Sequence, residues 1–251
     1  GSLAERVGRW EGERTVDRER VPALFDQLLL EAKGRTDDRV FGTGEYTMVL
    51  NPVTDVPYTA RCRFGDRLMD LNMDLTFTRS ALKHLVAHEV FPGHATHMLY
   101  TYDRAASGAS PADALLCAAN ASTGAVQEGI GDQGIYLIDW VDSVDDALYM
   151  RLRELRSAAA TSAAWYLMGE GWEVERVRDY LRRTAFPQEA WVEGRLRLAT
   201  HAYRGPFIAS YWFGDLAVRS VRKRVSRERF GEFVEYLYGG LNSVDSLRMF
   251  T

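Results

Sequence analysis

The chain carries only two cysteines, Cys62 and Cys117, in 251 residues, too few for a disulfide framework. It lacks any uncharged apolar run near the roughly 18 residues a membrane-crossing helix needs, and no signal-peptide core stands at its start. Charge of one sign is also missing. The 31 basic and 35 acidic side chains leave a formal charge of −4, which argues against a dedicated binder of nucleic acid or of an anionic membrane surface. No low-complexity tract, no repeat of fixed period and no Pro/Gly/Ser-rich linker divides the sequence. These absences point by default to a soluble, cytoplasmic protein without a nucleic-acid or membrane partner, and they leave the oligomeric state open. The opening Gly1-Ser2 is compatible with an expression scar, so the native N-terminus is not taken as seen.

What is present is an ordinary globular composition, 46% hydrophobic and 26% charged, on a chain long enough for one large domain. The segment Val21 to Lys33 repeats apolar residues at spacings of three and four and reads as an amphipathic helix ending at a Gly34 cap. Between Tyr46 and Phe77 the texture changes to short β-branched or alternating stretches, YTMVLN, YTARCRF and RLMDLNMDLTF. Turn signals at Asn51-Pro52 and Gly65-Asp66 separate them, which predicts a small antiparallel sheet over about 46–77. Thr78 reads as an N-cap, and helices are expected near 79–91, 94–106, 111–139, 144–168, 173–183, 187–201, 207–228 and 230–238. The expected fold is therefore mainly α with a small antiparallel β-sheet, in a single domain spanning 1–251.

Four of the five histidines, His84, His88, His94 and His97, fall within fourteen residues that also contain Glu89. Imidazole is the commonest protein ligand for zinc, and a carboxylate beside a ligand can accept a proton from an attacking water. The stretch His88-Glu89-Val90-Phe91-Pro92-Gly93-His94 is the zincin His-Glu-x-x-His pattern with two residues added. On a straight helix six residues advance about 600°, which leaves His88 and His94 roughly 120° apart. Pro92 cannot donate to the carbonyl of His88, and Gly93 tolerates unusual dihedrals, so a bend there would return His94 towards His88. His84 and His88, four apart, share a face of an undistorted helix and form the competing metal pair. His97, one turn beyond His94, reads as a supporting or surface group.

The motif HEVFPGHATH resembles the His-Glu-x-x-Pro-Gly-His signature of the bacterial proteins grouped as domain of unknown function 885, which belong with the zincin-type metallopeptidases. Other stretches resemble that family in the same order: Glu128-Gly129-Ile130-Gly131 its Glu-Gly-Trp-Ala segment, Ala209-Ser210-Tyr211-Trp212-Phe213-Gly214 its Ala-Tyr-Lys-Ile-Gly segment, and RFGEFVEYLYGGLNSVDSLRM its closing helix and tail. The likeness runs from about Leu71 to Met249. It implies a zincin-like α+β architecture and a zinc held by His88, His94 and Glu128, with Glu89 as general base. It implies hydrolysis of a peptide or other small amide by water; Tyr211 and His201 are the candidate donors to the oxyanion, since both can donate a hydrogen bond, and Tyr211 stands where the family pattern has its tyrosine. Two imidazoles and one carboxylate would leave a fourth position open, as catalytic zinc requires.

Departures from the pattern are Trp212 at a common lysine position, the reversed order Gly205-Pro206, and Gln133 and Ile135 where the family has a tyrosine and a second glutamate. Members are commonly about twice as long, so the chain is expected to be the C-terminal half of a longer protein or one of a smaller subfamily. Glu170-Gly171-Trp172 copies the family's letters more literally and is the rival source of the third ligand. The acidic run Asp139 to Asp146 reads as a solvated helix junction, Arg219 to Arg229 as a solvated basic face, and Cys62 and Cys117 as buried thiols. Two other functional classes stay open: a non-catalytic helical module for binding or assembly with a structural or lost metal, and a metalloenzyme whose reaction is not hydrolysis.

Overall fold

A computed structural model of the chain describes residues 1–115 and 122–250. The described residues are mainly helical, with one small sheet. Helices α1 (Leu3–Glu13) and α2 (Val21–Arg39) precede strands β1 (Val49–Val53), β2 (Ala60–Arg63) and β3 (Leu68–Asn72). Then follow α3 (Arg79–Glu89), α4 (His94–Ala106), α5 (Gly124–Leu137), α6 (Val144–Met168), α7 (Val174–Ala185), α8 (Glu189–Ala199), α9 (Ile208–Arg222), α10 (Phe230–Gly239) and α11 (Val244–Arg248). No described helix is long and apolar enough to cross a membrane.

Local chemistry accounts for most of these bounds. Thr78 caps α3 as expected, its hydroxyl accepting the Ala81 N–H at 3.1 Å, and Ser143 caps α6 through the Asp146 N–H at 3.0 Å. Helix α2 does not stop at Gly34 but continues to Arg39. The ion pairs Lys33–Asp37 at 3.1 Å and Arg35–Glu31 at 3.4 Å, each four residues apart, span the glycine and support the helix beyond it. The expected helix over 111–139 is a short turn at Ala112–Leu115 followed by α5, and residues 116–121, with Cys117, lie outside the described residues. The expected 207–228 helix ends at Arg222.

The sheet is mixed rather than antiparallel. Its order is β1-β3-β2, with β1 parallel and β2 antiparallel to β3. Reading neighbours in sequence as a meander missed that residues 54–59 carry the chain past a gap into which β3 inserts. Asn51-Pro52 is not a turn but part of β1, where Pro52 sits opposite Leu71. Val49 donates its N–H to Arg67 O and Val53 O accepts from Met73; Pro52, out of phase with both, turns its missing donor to the unpaired edge. The turn at Gly65-Asp66 is present and joins β2 to β3.

The main core packs α2 and the sheet against α3 through Phe25, Leu28, Met69, Leu71, Val86 and Phe91. A second core joins α4, α5, α9 and α10. Helices α5 and α9 touch backbone to backbone: a Cβ on Gly129 would lie 2.3 Å from Gly214 O. That approach sets α9, and Tyr211 one turn before Gly214, against the helix that carries Glu128.

Candidate metal centre

The site is built at the break between α3 and α4. The helix is not bent at Pro92, as the sequence suggested; α3 ends at Glu89 and α4 begins at His94. Gly93 lies so close to the end of α3 that a Cβ there would sit 1.7 Å from His88 O, so this crossing admits only glycine. The turn is pinned from both sides. Thr96 donates its N–H and its hydroxyl to Val90 O, and the Tyr238 hydroxyl donates to Pro92 O at 2.8 Å.

The result brings the two imidazoles together. The His88 and His94 rings lie 4.7 Å apart, nearly perpendicular at 86°. Glu128, from α5, places Oε2 3.3 Å from His88 Nε2 and 3.7 Å from His94 Nε2. One ligating atom from each of the three lies within 4.8 Å of the others. Glu128 Oε2 is buried and makes no well-aligned hydrogen bond with the described residues. Burial pushes this carboxyl up, but the His94 and His88 imidazoles outweigh it and hold it well below the usual carboxylate range. Two imidazoles and a buried, ionised carboxylate oxygen left without a donor fit a zinc ion by type and by spacing.

Behind His88 stands Asp132, one helical turn after Glu128 and only 1% exposed. Its Oδ1 is 2.8 Å from His88 Nδ1, and its other oxygen pairs with Arg153. Gly131 provides the seat for the ring: a Cβ there would lie 2.7 Å from His88 Nδ1. His84, His88 and Asp132 form a second group with ligand spacing, the pair weighed from the sequence. Arg153 already supplies the positive charge at Asp132, so this group suits the support of His88 better than a second cation. Burial, then Arg153 and His88, keep His84 well below the ordinary histidine value, so it is neutral.

Glu89 is buried beside the triad, and its Oε2 accepts the Cys62 N–H of β2 at 2.7 Å. Both line one cavity of about 880 Å³ with His88, His94, Glu128, Tyr211 and β2. Thr59 O accepts from Asn72, so Thr59, Arg61 and Arg63 turn their backbone groups to β3 while Ala60 and Cys62 turn theirs to the cavity.

Tyr211 lines the same cavity. Burial, then the charges of Glu128 and Glu89, push its hydroxyl well above the ordinary tyrosine value against the pull of Arg195, so it stays protonated and able to donate. His201 does line the cavity, but it is exposed at its rim, and its Nδ1 accepts the backbone N–H groups of Tyr203 and Arg204. No contact joins it to the triad. Glu170 is exposed and accepts the Trp165 indole N–H at 3.2 Å, apart from the cluster. His97 packs against Tyr238, its pKa lowered to about 4 by burial and then by His94.

Two readings made from charge runs change, and one made from a cysteine. Asp146 is not solvated but buried, paired with the fully buried Lys83 at 2.7 Å. Arg219 is not part of a solvated face but pairs with Glu154 at 2.9 Å and Asp215 at 3.4 Å. Cys62 is half-buried in β2 rather than buried. The residues missed from sequence are Asp132, Arg153 and Arg195. Asp132 alone had a signal, its spacing of four from Glu128.

No family model matches the chain, and no curated protein matches it. Among solved structures the chain is similar to that of a presumed lipoprotein from Colwellia psychrerythraea, with a TM-score of 0.76 at 17% identity. The likeness covers 98% of this chain and 46% of that one, so the chain spans about half the length of that protein. At this identity the likeness speaks for the fold.

Proposed function

We propose that the chain is a zinc-dependent hydrolase of the metallopeptidase type, with zincin-like architecture, acting on a peptide or other small amide. The observation that carries the reading is the meeting of His88, His94 and Glu128 on the wall of a large cavity, with Glu89 and the outer edge of β2 beside them. The ordered resemblance to the proteins of domain of unknown function 885 supports it independently. His88, His94 and Glu128 would hold the ion; when bound, zinc supplies Lewis acidity towards the substrate carbonyl and a lowered pKa for water.

The rest is done by the chain. The Cys62 N–H fixes one oxygen of Glu89, and the other accepts the proton of the attacking water and passes it to the leaving nitrogen. Tyr211 donates a hydrogen bond to the oxygen that gains charge as the carbonyl is attacked. Ala60 offers its backbone groups to an extended substrate, which lies along the outer edge of β2 beside Cys62, whose N–H stays on Glu89. Asp132 holds the His88 ring in place from behind.

The test is metal analysis joined to a peptide-library digest of the wild type and Glu89→Gln. One zinc per chain in both proteins, with turnover lowered about 10²- to 10⁴-fold in the variant, is expected. A variant that keeps its turnover removes Glu89 as the base. A wild type that takes up no zinc, or that unfolds on chelation, overturns the catalytic reading in favour of a helical binding module.

A further inference from the structure

The cavity wall carries several arginines, and most are already neutralised. Arg61 pairs with Asp70, Arg153 with Asp132, Arg156 with Glu11 and Arg197 with Asp55. Arg195, on α8, has no carboxylate partner among the described residues. Its Nη2 lies 3.5 Å from the Thr59 hydroxyl, its Nε is buried without a hydrogen bond, and its guanidinium lies 5.4 Å from the Trp191 ring and 6.0 Å from the Tyr211 ring. A guanidinium beside two aromatic rings, near Glu128 but paired with no carboxylate among the described residues, is a preformed seat for an anion.

Its place along β2 says which end of a substrate it meets. Glu89 marks the reacting position at Cys62, and Arg195 stands at Thr59, three residues earlier in the strand. Antiparallel pairing is the more stable arrangement, and a substrate lying antiparallel to β2 runs its C-terminal side towards Thr59. Three residues of strand span roughly 10 Å, room for a short leaving fragment.

We propose that Arg195 binds the free C-terminal carboxylate of a peptide substrate, so that the enzyme removes one to three residues from the C-terminal end. This rests on the metallopeptidase reading for the reaction, but the binding step does not need the metal. The exposed Arg204, also on the cavity wall and without an ion pair among the described residues, is the competing anchor. Its charge is screened by water and its side chain is not held between rings.

Calorimetry on the metal-free protein decides the matter, with acetyl-Ala-Ala-Phe as the free acid, the same peptide as its C-terminal amide, and acetyl-Ala-Ala-Asp amide. The free acid should bind about tenfold or more tighter than either amide. Arg195→Met should bring the acid-to-amide ratio within about twofold, Arg195→Lys should keep part of it, and Arg204→Met should keep all of it. Equal binding of acid and amide by the wild type overturns the proposal, as does a ratio that survives in Arg195→Met or disappears in Arg204→Met. If Arg195→Met does not fold, the wild-type ratio and Arg195→Lys carry the test: a lysine variant with the full wild-type ratio counts against a bidentate guanidinium seat. An aspartyl amide bound as tightly as the free acid would assign the seat to a side-chain carboxylate and refute C-terminal selection. A protein that shows the ratio but hydrolyses nothing when loaded with zinc would keep this site and lose the proposed reaction; hydrolysis without the ratio would do the reverse.

Discussion

Gly131→Ala is the sharpest probe of how the candidate metal centre is assembled, because it adds one methyl group to a helix and replaces none of the proposed ligands. The new carbon would lie 2.7 Å from His88 Nδ1, 2.8 Å from Cε1 and 2.9 Å from Cγ. The ring must retreat by roughly 0.7 Å to reach ordinary contact near 3.4 Å. Overpacking of this kind costs about 1–3 kcal/mol, and the helical preference of alanine over glycine returns about 1 kcal/mol. Net stability should therefore fall by at most ~2 kcal/mol. The metal site should suffer more in proportion, since ligand positions tolerate only about 0.2 Å and the Asp132 contact at 2.8 Å would also be lost. Zinc affinity should drop about 10- to 100-fold, read by competition with a chromophoric chelator, while a thermal melt follows stability. Gly34→Ala is the matched control: Gly34 is exposed in the middle of α2 with no atom near a built Cβ, and the variant should gain about 0.5–1 kcal/mol with zinc unchanged. A Gly131→Ala protein that binds zinc within about twofold of wild type would refute the account of His88 as a ring seated on a bare helix face.

The remaining predictions concern the ligands and the core. Glu128→Ala should weaken zinc by one ligand while Glu170→Ala leaves metal content unchanged; the reverse result would move the third ligand to the loop after α6. Asp132→Asn should lower zinc affinity about tenfold, checked by the same competition assay, since it weakens the hold on His88 Nδ1. The buried Lys83–Asp146 pair predicts an acid limit to stability. Burial pushes Asp146 up, but Lys83 and Ser80 outweigh it and lower its pKa to about 2. A carboxylate lowered in this way stabilises the fold above its ordinary value near 3.8 and loses that contribution as pH falls towards about 2. Asp146→Asn should flatten the fall in melting temperature over that window, and an unchanged pH profile would remove the pair from the stability balance.

Helices were legible where caps and apolar spacing agreed. Thr78 and Ser143 mark the starts of α3 and α6, and α4 begins at the residue expected from the sequence. Helix α1 carries a cap signal, Ser2 with Glu5, but it buries only Val7, so its apolar stripe is too thin to read. The sheet was found but its topology was not. Strand pairing depends on which segment slides between two others, and β1 and β3 are joined through residues whose composition is silent about direction. Charge runs misled for a related reason. Asp146 and Arg219 look solvated in sequence, and their partners Lys83 and Glu154, distant along the chain, with Asp215 one turn before Arg219, make burial tolerable.

At the metal centre the histidines announced themselves, but the choice between two overlapping groups could not be made from spacing. On an undistorted helix His84 and His88 share a face, which favours them over His88 and His94. The structure inverts that preference by ending the helix at Glu89 and restarting it at His94. It then assigns different work to the two nitrogens of His88. Nδ1 faces Asp132, whose charge is matched by Arg153, and Nε2 faces Glu128, whose charge no arginine or lysine pairs with among the described residues. A divalent cation is drawn to the carboxylate that still lacks a positive partner, so on the proposed reading the ring's orientation and the position of Arg153 together would direct the ion to the Nε2 side. Helix α5 supplies all three parts of this arrangement within five residues: Glu128 as the proposed ligand, Gly131 as the seat and Asp132 as the brace of His88.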